Sequence, residues 1–289
     1  MAMQYVKPAT VAEAIGLLKD SKGAARILAG GTDLLVQMKS GMTEPSLVVD
    51  IKGLPGSDKI VAEDGGFRVG AGVSGAALGE HGGFCAMWPG VAEAFQLIGS
   101  TQVQGRATMA GNLMNASPAG DSVPAMVAAC AVARIEGPGG QRDCDVADIP
   151  VGPGKTSLKP GEFISSIFFP ARPSNASDAY LRFIPRTEMD IAVASAGVNL
   201  ELDGDGKVTS ARVVLGAVAP TVVLVKDAGT ALVGSRLEDA ALDAMAAACS
   251  AACNPIDDKR GTVEFRTKVA GVMARRAAKI AYNRAGGAK

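Results

Sequence analysis

Thr108-Met109-Ala110-Gly111-Asn112-Leu113-Met114-Asn115-Ala116-Ser117-Pro118-Ala119-Gly120-Asp121 decides the reading, because small residues, amides, a hydroxyl and one carboxylate alternate where a buried core would place bulk. The segment reads as a loop that wraps a polar ligand closely. Earlier in the chain a second small-residue turn, Leu28-Ala29-Gly30-Gly31-Thr32-Asp33-Leu34-Leu35, lies between apolar residues that read as a strand end and a helix start. Consecutive amides at the start of a helix carry partial positive charge and hold a pyrophosphate without a lysine. Glycine permits the close approach, so Gly30 and Gly111 are read as positions where backbone meets phosphate. Thr108 and Asn112 can donate to phosphate or carbonyl oxygens, and Asp121 can accept from sugar hydroxyls. Together the two segments point to one large ligand with a phosphate-bearing middle. The plainer readings are a tight turn capped by Thr32 or Asp33, and an irregular connection in which Asp121 caps the next helix.

The rest of the chain narrows the class. Its 289 residues exceed what one core usually holds, so two or three domains are expected. Basic and acidic side chains balance at 29 each, which leaves no net charge to attract nucleic acid or an anionic membrane. No stretch approaches the uninterrupted apolar length of a membrane span, and the start lacks the pattern of a secretory leader. A cytoplasmic, soluble protein is expected. Five scattered cysteines fit reduced thiols better than a disulfide framework. Cys249 and Cys253 share a helical face and read as packing, since no further Cys or His completes a tetrahedral metal set. His81, the single histidine, has loop-like neighbours and reads as solvated.

A coarse pass gives the organisation. Thr10 and Glu13 form a capping box ahead of the Ala14, Leu17 and Leu18 stripe. A strand at 26–29, a helix at 33–39 and a strand at 46–51 complete a βαβ-like unit. A hairpin follows around Asp64-Gly65-Gly66, then a helix near 90–98, the small-residue loop, a helix at 123–129 and strands at 131–135 and 163–169. Pro170 to Asn175 reads as a linker. Beyond it, Asp203-Gly204-Asp205-Gly206 marks a hairpin between 192–202 and 208–217, and 237–252 and 263–283 read as helices. A small antiparallel sheet with helices on one face is the expected second domain.

Two glycine motifs carry less. Gly70-Ala71-Gly72-Val73-Ser74-Gly75 matches the literal dinucleotide fingerprint, but Gly79 to Gly83 breaks the helix that the motif needs. It reads as a strand-to-helix turn. Gly152-Pro153-Gly154-Lys155-Thr156 imitates the end of a nucleoside triphosphate loop, but the leading glycine is replaced by Ile149 and nearby prolines remove amide donors.

Taken in order, these segments resemble the medium, flavin-carrying subunit of molybdenum hydroxylases, the group that includes xanthine dehydrogenase and aerobic carbon monoxide dehydrogenase. The resemblance covers essentially the full length. It rests on the Ala29-to-Leu35 turn, the Gly111-to-Asp121 segment, the Gly152-to-Thr156 run with Glu162 after it, Arg186 with Asp190-Ile191-Ala192, and Asp258-Lys259-Arg260-Gly261 before Glu264-Phe265-Arg266. It implies an α+β chain: a two-lobed vanillyl-alcohol-oxidase-like FAD domain at 1–172, with lobes at about 1–57 and 58–172, and a small α/β C-terminal domain at 173–289.

The resemblance also implies the cofactor site. Leu28, Ala29, Gly30, Gly31, Thr32, Asp33, Leu34 and Leu35, with Thr108, Met109, Ala110, Gly111 and Asn112, would grip the FAD pyrophosphate. Asp121 would meet the polar flavin side chain or ribose, and the backbone near Ile164 and the side chain of Arg182 would lie close to the cofactor. Thr101 is a further candidate. No residue looks like a covalent flavin attachment point, and no protein acid, base or metal ligand is assigned a catalytic role. Carbon monoxide dehydrogenase-like members place a tyrosine where this chain has Ile191, so the ring environment looks closer to the xanthine dehydrogenase type. A four-cysteine iron–sulfur insertion, as in the related benzoyl-coenzyme-A reductase branch, is not expected here.

The implied role is electron transfer within a larger hydroxylase. Molybdenum cofactor and 2Fe–2S clusters would reside in separate large and small subunits, assembled as a dimer of heterotrimers, and an external acceptor such as NAD or a quinone would take the electrons. One alternative is a stand-alone flavin oxidoreductase with a substrate pocket lined by Phe163, Phe183 and Arg186. Another is a non-catalytic interaction module using the apolar C-terminal helices.

Overall fold

The computed structural model describes residues 3–287, so the outermost positions of the two expected domains, 1, 2, 288 and 289, lie outside it. The first lobe is a three-stranded parallel sheet in the order β1 (Gln4–Val6), β3 (Leu47–Asp50), β2 (Ala25–Leu28), with α1 (Val11–Asp20) and α2 (Leu34–Lys39) as connections. β3 is buried along its whole length, as the centre of a parallel sheet must be. The polar end of β3 is satisfied: Asp50 accepts from Tyr5 Oη at 2.5 Å and Lys52 Nζ at 2.8 Å. The capping box forms as read, but its return bond reaches one residue further out. Thr10 Oγ1 accepts from Glu13 N, while the Glu13 carboxylate accepts from Ala9 N at 2.8 Å. β1 has no counterpart in the sequence reading, because three residues are too few to show a period.

The second lobe is a five-stranded antiparallel sheet in the order β4 (Ile60–Glu63), β5 (Gly66–Gly70), β10 (Phe163–Phe169), β6 (Val132–Gly137), β7 (Gly140–Asp145). Between β5 and β6 the chain makes six helices: α3 (Gly75–Glu80), α4 (Gly82–Met87), α5 (Pro89–Gln96), α6 (Thr101–Gln104), α7 (Met109–Asn115) and α8 (Ser122–Ala128). A two-stranded hairpin of β8 (Pro150–Gly152) and β9 (Lys155–Thr156) precedes β10. The Gly70-to-Gly75 motif is a strand-to-helix turn. The helix does break within 79–83, as expected: α3 ends at Glu80, and His81, outside the helical conformation, separates it from a second short helix, α4. The His81 Nδ1 accepts from Phe84 N at 3.0 Å as the cap of α4, and its ring meets Phe67 edge-on at 5.2 Å between centroids. The expected solvated histidine is therefore a packed capping residue.

Past the segment 170–175, β11 (Ala176–Phe183), β12 (Ala194–Leu202), β13 (Val208–Gly216) and β14 (Val223–Leu224) form an antiparallel sheet, followed by α9 (Lys226–Leu232), α10 (Asp239–Ala251) and α11 (Val263–Arg284). A stripe of small residues, Ala270, Ala274, Ala277, Ala278 and Ala281, is fully buried in the C-terminal core with Val198 and Leu200, and lets α11 lie close on the sheet. Cys249 is buried in the same core.

Helices on one face only were expected for this sheet, but both faces are covered. Alternating residues divide between two cores: Ala179 and Val213 join α9–α11, while Tyr180 and Val214 join the second lobe. A Cβ at Gly197 or Gly216 would strike Pro124 of α8, so two glycines on neighbouring strands admit that helix. The two parts of the chain thus share a packed interface. No helix among the described residues is long and apolar enough to cross a membrane.

Candidate functional site

The turn after β2 is built to expose amides. Gly31 sits at φ +80, a left-handed conformation that favours glycine, and its carbonyl accepts from Leu35 N at 3.1 Å to start α2. No backbone carbonyl among the described residues accepts from the amides of Gly30, Gly31, Thr32 or Asp33. Four adjacent donors without backbone acceptors at a helix start are the chemistry of an anion site.

The segment 108–121 departs from its reading as a loop. Thr108 caps α7, its Oγ1 accepting from Gly111 N at 3.0 Å, and Met109, Ala110 and Leu113 are buried. α7 begins in ordinary contact with the Gly30 turn, and the tight approach at Gly111 is to its own cap, 2.9 Å from an added Cβ to Thr108 Oγ1. A Cβ at Gly111 would lie 3.5 Å from Ala29 Cβ and 3.9 Å from Gly30 N. Ala116, at φ 49, ends the helix in a left-handed cap. Gly30 itself meets protein: a Cβ there would overlap the Arg106 carbonyl oxygen, with Ala107 Cα at 2.9 Å.

The two turns, one from each lobe, converge on a groove of about 630 Å³, within the range of cofactor sites. Ala29, Gly30, Gly31, Thr32, Asp33 and Leu34 line one side, and Thr108, Gly111 and Asn112 line another. Leu28 and Leu35 line a second cavity of about 540 Å³ that shares Gly30, Gly31 and Thr32 with the first. The side chains of Met109 and Ala110 lie buried behind the cap of α7. Thr101, Asp121, Ile164 and Arg182 are not among the groove's walls. Thr101 heads α6, and Ile164 is fully buried in β10.

Asp121 and Arg182 instead form a buried ion pair at 2.5 Å between α8 and β11, with Tyr180 Oη donating to the other Asp121 oxygen at 2.7 Å. Burial pushes the Asp121 carboxyl up, against the pull of Arg182 and Tyr180. The reading of Asp121 as a helix cap fails, because its side chain makes no capping bond.

The opposite wall comes from residues with no assigned cofactor role. Gly154 and Thr156, from the run set aside as a failed triphosphate loop, line the groove with Lys159 and Glu162. Gly154 N donates to Ala116 O at 3.0 Å, which joins this hairpin to the end of α7. Glu162 is paired with Arg142 through two bonds of 3.0 and 2.8 Å, and that guanidinium holds its carboxyl below the usual range. The run and Glu162 carry the family resemblance, but only the hairpin's placement shows that they line the groove.

The pocket imagined from Phe163, Phe183 and Arg186 does not form. Phe163 is fully buried in the second lobe, Phe183 packs on Phe265 at 5.5 Å, and Arg186 is exposed beside Asp190. Asp190 ties the β11–β12 connection to the segment before α11, accepting from Ile191 N at 2.8 Å, Arg260 Nε at 3.0 Å and Arg186 Nε at 3.1 Å. These partners, the Ile191 amide first, lower its carboxyl to about 2. A folded value below the unfolded one stabilises the fold above about pH 4 and is lost as pH falls through the folded value. The melting-temperature gap between the native chain and Asp190→Asn should therefore narrow as pH is lowered from 4 toward 2. A gap independent of pH would contradict this role.

Comparison with known proteins agrees in order and extent. Residues 1–172 match the family described as the FAD binding domain in molybdopterin dehydrogenase, and residues 179–281 match the CO dehydrogenase flavoprotein C-terminal domain. The chain is 34% identical over 284 residues to the carbon monoxide dehydrogenase medium chain of Afipia carboxidovorans, covering 98% of each. It is 30% identical over 285 residues to the xanthine dehydrogenase FAD-binding subunit of Escherichia coli O157:H7, covering 98% of this chain and 97% of that one. Among solved structures, a chain of carbon monoxide dehydrogenase from Hydrogenophaga pseudoflava superimposes with a TM-score of 0.94 at 32% identity, covering 98% of both.

Proposed function

We propose that this chain, which belongs to the family of FAD-binding medium subunits of molybdenum hydroxylases, relays electrons from the 2Fe–2S clusters of a small partner subunit to an external acceptor such as NAD or a quinone. A large molybdopterin subunit would oxidise the substrate, and the assembly would be a dimer of heterotrimers. The bound flavin supplies the redox chemistry, accepting electrons singly or in pairs. The observation that carries the reading is the convergence of the Gly30–Asp33 amides and the start of α7 on one groove.

In this reading residues 1–172 are the cofactor domain, in lobes at about 1–57 and 58–172, and 173–289 form the C-terminal domain. The Leu28-to-Leu35 turn and Thr108-to-Asn112 hold the pyrophosphate. Thr108 Oγ1 already accepts from Gly111 N, so its hydroxyl proton remains to donate. Asp121, expected to meet the polar flavin side chain or ribose, is held by Tyr180 and Arg182 outside the groove's walls, and in this reading it supports the site from behind, as do Arg182, Thr101 and Ile164. The FAD is held without a covalent bond, and the one histidine is spent on a helix cap.

The test is partner dependence. Flavin reduction by the organic substrate should occur only when the small and large subunits are present with this chain. Turnover of such a substrate by the purified single chain would favour a stand-alone oxidoreductase instead.

A further inference from the structure

Asn112 lines the groove, but what its amide can offer is decided behind it. Its Oδ1 accepts the hydroxyl of Ser122 at 2.7 Å, and Ser122 is fully buried. With that oxygen engaged, the Nδ2 donors are what remain for a ligand. A Cβ at Gly120 would come within 3.0 Å of the same Oδ1, so the chain around the pair is closely fitted.

Ser122 is placed in turn by its neighbour. Asp121 stands at the capping position of α8 yet makes no capping bond there. Both of its oxygens go to β11: one accepts the Tyr180 hydroxyl at 2.7 Å, the other Arg182 Nη1 at 2.5 Å. Tyr180 is 2% exposed and Asp121 7%, so water does not substitute freely for either partner. A carboxylate that forgoes the amides of its own helix for two partners in the C-terminal sheet fixes the start of that helix to the sheet.

We propose that Tyr180 and Ser122 are positioning residues for the cofactor. Tyr180, with Arg182, holds Asp121; Asp121 seats Ser122; and Ser122 fixes the Asn112 amide as a donor to a phosphate oxygen of the dinucleotide. The inference rests on the FAD reading and adds a consequence to it. Docking of the C-terminal sheet and affinity for the cofactor are linked, and the linkage is reciprocal.

The experiment is FAD titration of the full chain freed of flavin, followed by flavin fluorescence, with melting temperature recorded alongside. Ser122→Ala and Tyr180→Phe should each weaken FAD binding about tenfold, the size of one hydrogen bond lost. In an Asn112→Ala background neither should weaken it further, because the donor they place is gone. Unchanged affinity in both variants, or the same loss whether or not Asn112 is present, overturns the proposal. A native chain with no affinity for FAD would overturn the cofactor reading itself.

Discussion

Replacing Gly30 by alanine should strip the chain of its flavin, weakening retention well beyond tenfold, and should lower the unfolding free energy by about 1–3 kcal/mol. The cause is a backbone clash. The added Cβ would overlap the Arg106 carbonyl oxygen and sit 2.8 Å from its carbon, and backbone cannot swing aside as a side chain can. Arg106 and Ala107 lead directly into the Thr108 cap, so relief of the clash moves the two amide-bearing turns apart. Gly16 is the internal control. It lies within α1 with nothing within 4 Å of its added Cβ, so Gly16→Ala should stabilise by about 0.5–1 kcal/mol and leave flavin content unchanged. Flavin absorbance after gel filtration and urea unfolding check both. Full retention by Gly30→Ala would contradict the geometry.

The largest loss of stability is expected from Asp178→Ala. Asp178 accepts from Arg172 at 2.7 Å and from Val91 N at the start of α5 at 3.1 Å, with side-chain exposures of 3% and 7% for the ion pair. Arg172 stacks over Trp88 at 4.5 Å, and Arg284 of α11 donates to Asp178 O while pairing with Glu93 of α5. Burial pushes the Asp178 carboxyl up against the pull of Arg172, so the pair adds little over an apolar contact. Removing one partner is another matter. Alanine leaves the Arg172 charge enclosed without its carboxylate and the Val91 amide without an acceptor, at a cost of about 3–5 kcal/mol. The loss should appear as an earlier urea midpoint, with Asp178→Asn losing less because an acceptor remains. A midpoint unchanged by Asp178→Ala would mean that this cluster does not hold the second lobe to the C-terminal sheet.

How much of this was legible depends on whether the cause of each feature was local. The hairpin around Asp203-Gly204-Asp205-Gly206 and the Thr10 cap were plain, since turn and cap chemistry sit within a few residues. The Gly30 turn lies at a strand end as the sequence indicates, but the close approach of Arg106 and Ala107, which also requires glycine there, has no local signal. The same limit hid α7, whose small residues looked like a loop because the turn they pack against lies in another lobe. Likewise α4 is obscured by glycines in the sequence, and its start rests on an imidazole cap from His81. Asp121 shows the limit most clearly. Two local readings were available, cap or ligand contact, whereas its observed partners lie 59 and 61 residues onward in another sheet. Such pairings follow from tertiary placement, which residue type alone does not reveal.

In the proposed role, a phosphate-bearing flavin dinucleotide is held by amides converging from two lobes. The most direct measurement is a calorimetric titration of the flavin-free full chain with FAD, FMN and riboflavin in parallel. One FAD per chain is expected, with FAD binding at least about a hundredfold tighter than riboflavin because pyrophosphate contacts are charge-assisted hydrogen bonds. Equal affinity for riboflavin and FAD, or no flavin binding at all, would contradict it.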